Sequence, residues 1–145
     1  MTDLINNDGM PVTFLPRPAK RDDVPEIPGA ELRTLENLAE LAYETCASWS
    51  LIAGDNPGPH WEQLDETQKQ GIIDGVRFVV EKPFTSIADQ HDNWRAWMAG
   101  RGWTHGDTKT EPAKTHPNMV PFDELPWAQQ RKANLFRHVI HAIIG

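Results

Sequence analysis

Leu35, Leu38, Ala39, Ala42, Cys46 and Trp49 recur at three- and four-residue steps. That spacing lines one face of an α-helix, and it predicts a first helix over about 30–52. Gly54 stops this helix, and Asp55-Asn56-Pro57-Gly58-Pro59 is turn chemistry. Asp65, with Gln68 three residues on, reads as the N-cap of a second helix closed by a capping box. Ile72, Ile73, Val76, Val79 and Val80 form its apolar face, and Pro83 ends it. Gly71 and Gly75 share one side of this helix. Each costs about 1 kcal/mol relative to alanine, so the pair implies that another helix or a ligand approaches closely. Thr85 or Ser86 caps a third helix with Ile87, Ala88, His91, Trp94 and Met98 on one stripe and Trp97 on its flank. Gly100-Arg101-Gly102 terminates it. Residues 103–115 read as a short hairpin or ordered loop with Gly106-Asp107 in the turn, and the prolines at 117 and 121 make the following stretch extended. Pro126 falls where N1 of a last helix would be, and Leu135, Phe136, Val139, Ile140, Ile143 and Ile144 form the buried face of that helix.

These elements repeat. A helix ending in Cys46-Ala47-Ser48-Trp49 is followed by Trp61-Glu62-Gln63-Leu64 and a helix. A helix carrying His91-Asp92-Asn93-Trp94 is followed by Phe122-Asp123-Glu124-Leu125 and a helix. Each half reads helix, Trp, loop, aromatic-acidic-x-Leu, helix. Two similar units in one chain tend to pack about a pseudo-two-fold axis, which makes Trp49 and Trp94 equivalent and sets them to clamp a flat ring. The expected fold is mainly α, two pseudo-symmetric helix-pair repeats with a short β-hairpin or extended loop in the second half. The half-repeats span about 30–83 and 84–145, after an irregular proline-rich arm over 1–29 that holds Pro11, Pro16, Pro18, Pro25 and Pro28.

The second half resembles the repeat domain of ryanodine receptors. The resemblance rests on Ile87-Ala88-Asp89-Gln90-His91-Asp92-Asn93-Trp94, on Gly102-Trp103-Thr104-His105-Gly106, and on residues 114–125, Lys-Thr-His-Pro-Asn-Met-Val-Pro-Phe-Asp-Glu-Leu. Three motifs stand in the family's order over about 85–144; His105 replaces the usual tyrosine. In residues 31–82 the match is looser: Cys46 stands for the motif histidine, and the glycine-tryptophan hairpin is missing. The resemblance implies a small stand-alone protein of the kind found in bacteria and phages. It also implies a cleft between the halves that holds an adenine-type ligand or cyclic nucleotide between Trp49 and Trp94, with His91 lining it. Tyr43 and Cys46 precede Trp49 on the corresponding face and join the expected site. Tyr43 supplies the chain's one phenolic hydroxyl.

Composition narrows the classes. A length of 145 residues suits one domain with a modest core. A net charge of −7 is a poor footprint for nucleic acid, so no nucleic-acid partner is expected. An acidic chain that takes a phosphorylated ligand must gather cations at the cleft, and Arg95 or Arg77 is expected to supply them. Arg101, Lys109 and Lys114 flank the Trp94 and Trp103 motifs, and Arg131, Lys132 and Arg137 lie on the last helix, where a small anionic ligand could be accommodated; the plainer reading of each is a solvated helix face. No apolar run is long enough to span a membrane, no signal peptide is recognisable, and a single cysteine fits a reducing cytoplasm. For a phage product this would be the host's cytoplasm.

Each candidate has a plainer reading. Trp49 and Trp94 could meet in a core, and His91 could be a hydrogen-bonded helix histidine. Trp61 and Trp127 read as packing residues near helix starts, and Trp103 as a core plug. Cys46 reads as a small buried residue rather than a nucleophile. His138 and His141 lack a third metal ligand, and His116-Pro117 suits a buried hydrogen bond that pins its loop. Asp65-Glu66 and Asp123-Glu124 are explained by capping. No catalytic motif stands out, so neither enzyme activity nor a cofactor is expected. The expected function is non-enzymatic binding of a nucleotide-like molecule, with sequestration of a host-defence second messenger as its use. A protein-interaction module and an enzyme acting on a nucleotide remain the alternatives, and a homo-oligomer stays open.

Overall fold

Thr34 opens the first helix through a hydroxyl that accepts the Asn37 amide at 3.2 Å. The computed structural model describes residues 34–145, so the expected arm and the first residues of the expected helix lie outside the described residues. Among these, the chain forms α1 (Leu35–Ile52), a 3-10 turn (Trp61–Gln63), α2 (Glu66–Glu81), α3 (Ile87–Ala99), β1 (Thr104–His105), β2 (Thr115–His116), a second 3-10 turn (Phe122–Glu124) and α4 (Trp127–Ile144). The architecture is mainly helical, with one small sheet.

The caps follow local chemistry. The Asp65 carboxylate accepts the Gln68 amide at 2.7 Å, and the Gln68 side chain accepts the Asp65 amide at 3.1 Å. Ser86, rather than Thr85, starts α3 through the same reciprocal pair with Asp89, both bonds 3.0 Å. Pro126 stands one place earlier than expected. Its ψ of 150° is extended, so it is the N-cap and Trp127 takes the first helical position. Both 3-10 turns end on a leucine with nearly the same backbone, Leu64 at φ −70°, ψ 145° and Leu125 at φ −68°, ψ 145°. Leu64 and Leu125 are both buried.

The core lies where α1 meets α2 and α4. Leu38, Ala39, Ala42, Trp61, Leu64, Val76, Val79 and Ile140 form it. Ala39 and Ala42 are fully buried, and their small side chains let α1 sit close to its neighbours. Of the α4 stripe only Ile140 is fully enclosed; Phe136, Val139, Ile143 and Ile144 pack against the core half-covered. The glycine pair on α2 is occupied from within. The Trp97 ring of α3 rests on Gly71, and Phe136 of α4 faces Gly75.

Side chains tie the loops to these helices. Arg137, one of the residues that read as a solvated face, donates to the carbonyls of Pro83 at 3.1 Å, Ser86 at 3.5 Å and Thr85, and to the Gln90 side chain at 3.4 Å. It thereby fastens the α2–α3 loop to α4. Glu44 accepts the Trp61 amide at 2.7 Å and pairs with His60 at 3.3 Å.

The segment expected as a short hairpin or an ordered loop is not an antiparallel hairpin. β1 and β2 run parallel, with Thr104 beside Thr115 and His105 beside His116. Antiparallel pairing is confined to a bridge between Thr110 and Thr115. That bridge, with Lys114 at φ 52°, turns the chain a second time. The segment therefore returns alongside β1 in the same direction. Gly106 lies at the contact between strands rather than in a turn, because a Cβ there would stand 2.6 Å from that of Thr115.

Candidate functional site

Cys46 and Trp49, three residues apart on α1, both turn towards α4. The Trp49 indole N–H donates to the Ala128 carbonyl at 3.0 Å, and the Cys46 thiol donates to that of Lys132, one turn on, at 3.6 Å. Trp49 stays half-buried, with Trp127 tilted against it at 6.0 Å. Trp127 itself is 68% exposed, so it is not the packed helix-start residue expected of it. Burial pushes the Cys46 thiol up to about 11, against the opposing pull of the Lys132 ammonium. The thiolate is the reactive form. Iodoacetamide at pH 8 should therefore modify Cys46 at least about a hundredfold more slowly than an unhindered thiol with the ordinary value. Rapid alkylation of the folded protein, followed by mass spectrometry, would reverse this assignment.

The second cluster gathers on α3 and the segment after β2. His91 is buried, and its Nε2 donates to the Val120 carbonyl at 2.7 Å. Burial, first among the causes, lowers its pKa, so the ring is neutral at pH 7. Trp94 stacks on it at 5.5 Å and 23° between planes, and Phe122 meets its edge at 6.2 Å. The other side of the cluster is His116, edge-on to Trp94 at 5.0 Å and to Trp103 at 6.4 Å. Its Nδ1 accepts the Asn118 amide at 3.0 Å, which places the proton of the neutral ring on Nε2. Burial, then Lys109 and Lys132, lower its pKa to about 4; Asp55 opposes them.

A hydrogen-bond chain joins the two clusters. The Asn118 side chain donates to Gln129 at 3.0 Å, and Gln129 donates to Asp55 at 2.9 Å. The chain Asp55–Gln129–Asn118–His116 thus runs from the end of the Trp49 helix to the imidazole beside Trp94. The Trp49 and Trp94 rings do not touch.

Of the expected site residues, Cys46 and Trp49 are brought together, and so are His91 and Trp94. Tyr43 turns the other way. Its hydroxyl donates to the Pro59 carbonyl, and its ring lies 6.0 Å from Trp61. Arg77 and Arg95 each bond a carboxylate of their own helix at 3.1 Å, Asp74 and Asp92 respectively. Asp55, Asn118 and Gln129 were not foreseen, Lys132 was read as a solvated helix face in preference to an anion contact, and His116 was read only as a loop pin. The signal for α4 was present: positions 128, 129 and 132 share a flank at helical spacing. Two shallow grooves, about 320 and 360 Å³, lie elsewhere, on the outer face of α1 around Glu40 and Glu44.

Among the described residues no three His, Cys, Asp or Glu side chains converge to hold a metal, and no helix is long and apolar enough to cross a membrane. Comparisons of the chain with protein-family models and with curated protein sequences find no match.

Proposed function

We propose that the chain is a two-repeat domain of the ryanodine-receptor type that binds a nucleotide-like molecule between its halves without transforming it. The observation that carries this reading is the pair of half-buried, pinned indoles joined by the Asp55–Gln129–Asn118–His116 chain. Trp49 is held by its N–H on Ala128, and Trp94 by stacking on His91. A ring fixed by its edge or by one face keeps surface for a base, and stacking on each is worth about 1–3 kcal/mol. The two similar leucine-terminated 3-10 turns support a repeated unit. In a phage, tight binding of this kind would withdraw a nucleotide messenger from host defence.

Cys46 and His91 border these indoles, whereas Tyr43, Arg77 and Arg95 would contribute only through a rearrangement of their present bonds. Intrinsic fluorescence should fall when adenosine or AMP is titrated in. Trp94→Ala and Trp49→Ala should each weaken binding by about 1–3 kcal/mol, with circular dichroism reporting that the helices persist. Ligand recovered intact would separate binding from turnover. A second reading, a protein-interaction surface, is favoured by the exposed Trp127 and Ile52 beside Trp49. Purines that leave the fluorescence unchanged would favour it.

A further inference from the structure

Lys132 extends from the flank of α4 that joins the two clusters. It follows Ala128, which holds Trp49, by one helical turn, and Gln129, which holds Asn118 and Asp55, by three residues. Side chains on a helix lean towards its N-terminus, so the Lys132 stem runs back towards the level of these residues. Its ammonium is felt at both Cys46 and His116.

The other lysines and arginines among the described residues are committed. Arg77 and Arg95 hold carboxylates, and Arg137 holds loop carbonyls. Arg101 lies over Trp97, and Lys114 holds the Arg101 carbonyl. Lys69, Lys82 and Arg131 lie over aromatic rings. The ammonium groups of Lys109 and Lys132 have no hydrogen bond, ion pair or ring contact, and both bear on His116. For exposed Lys109 that is ordinary. Lys132 is half-buried as a residue, which fits a stem laid along α4 with its ammonium free at the surface to meet an anion. The Nε2–H of His116 is a further donor with no partner, since Asn118 uses only Nδ1.

We infer that Lys132, with the Nε2–H of His116, forms an anion subsite between Trp49 and Trp94 that takes the phosphate of a nucleotide. This rests on the reading of the cleft given above and replaces Arg95 or Arg77 as the source of positive charge. Lys132 supplies a point charge on a flexible stem, which tolerates a range of phosphate positions, and the neutral imidazole supplies direction. Asp55 stands opposite. Its carboxylate is occupied by Gln129 and the Asn56 amide, which tempers its repulsion of an anion.

The test uses adenosine, AMP and pyrophosphate against the whole chain, followed by indole fluorescence and by NMR of the histidine rings and the Lys132 amide. AMP should bind at least about tenfold more tightly than adenosine, as one charge-assisted contact allows. Added salt should erode that difference. Lys132→Gln should abolish it while adenosine binding stays within about twofold. Asp55→Asn should widen it. Equal affinity for AMP and adenosine, with Lys132→Gln silent and Trp94→Ala still harmful, would overturn the subsite and leave the aromatic cleft. Pyrophosphate that shifts the His116 ring while adenosine does not bind would support the subsite and defeat the stacking reading. No response to any of the three probes overturns both.

Discussion

Taking the solution from pH 7 to pH 4 is expected to remove about 1–2 kcal/mol of folding stability through His116 alone. The full shift corresponds to about 3 kcal/mol, cut by solvent screening of a half-buried ring. The ring's pKa is about 4 in the folded chain, against an ordinary value of 6.5. Each unit of difference corresponds to about 1.4 kcal/mol. The sign follows from proton counting. Between the two values the unfolded chain binds the proton and the folded chain does not, so stability falls as pH drops through 6.5 and levels off below about 4. Burial is the main cause, followed by the Lys109 and Lys132 charges, with Asp55 pulling the other way and His91 adding to the lowering. His91 is shifted in the same direction by its own burial and adds to the loss. Denaturant midpoints at pH 7, 5.5 and 4 check this, with His116→Asn as the comparison, since carboxylates contribute their own acid dependence. Wild type should lose clearly more stability than the variant over this range. Parallel pH profiles would mean that His116 titrates like a solvated ring.

The two clusters around that histidine were unequally legible in the sequence. Helix positions were readable because a 3.6-residue period and a local cap carry the same message. Asp65 with Gln68 shows this, and the cap forms as read. Pro126 was misplaced by one residue because a proline satisfies both the N-cap and the first helical position. The parallel β1–β2 pair was not legible. Two-residue strands have no alternation to read, and their direction depends on how the loop around Lys114 closes.

Trp49 and Trp94 stood out as candidates because a similar order of residue types occurs twice along the sequence, and His91 and Cys46 because of the family resemblance. Arg137 and Lys132 did not, since a cation beside an apolar stripe has the same pattern whether it meets water, a carbonyl or nothing. What separates them is the arrangement of neighbours. The α2–α3 loop brings its carbonyls to Arg137, while nothing of the kind reaches Lys132. Tyr43 shares the period of Cys46 and Trp49, but position 43 lies beside the 3-10 turn at Trp61 and is claimed by the α1–α2 loop.

The glycine pair on α2 separates into one replaceable position and one that is not. Gly71→Ala should destabilise the chain by towards 3 kcal/mol, the upper end of what overpacking costs. A Cβ at Gly71 would stand 2.5 Å from both Cη2 and Cζ2 of Trp97. The ring cannot retreat freely, because the Arg101 guanidinium lies 3.6 Å from its centroid. Gly75 is different. Its Cβ would meet Phe136 no closer than 3.7 Å, which is ordinary contact. Gly75→Ala should leave stability unchanged or raise it by up to about 1 kcal/mol, the helix-propensity difference. Denaturant unfolding of both variants checks the contrast, and a Gly71→Ala chain as stable as wild type would sink it. The consequence reaches the candidate site, because Trp97 lies on α3 with His91 and Trp94. If Trp97 seats α3 on α2, then Gly71→Ala should also shift the indole N–H signal of Trp94, while Gly75→Ala leaves it in place.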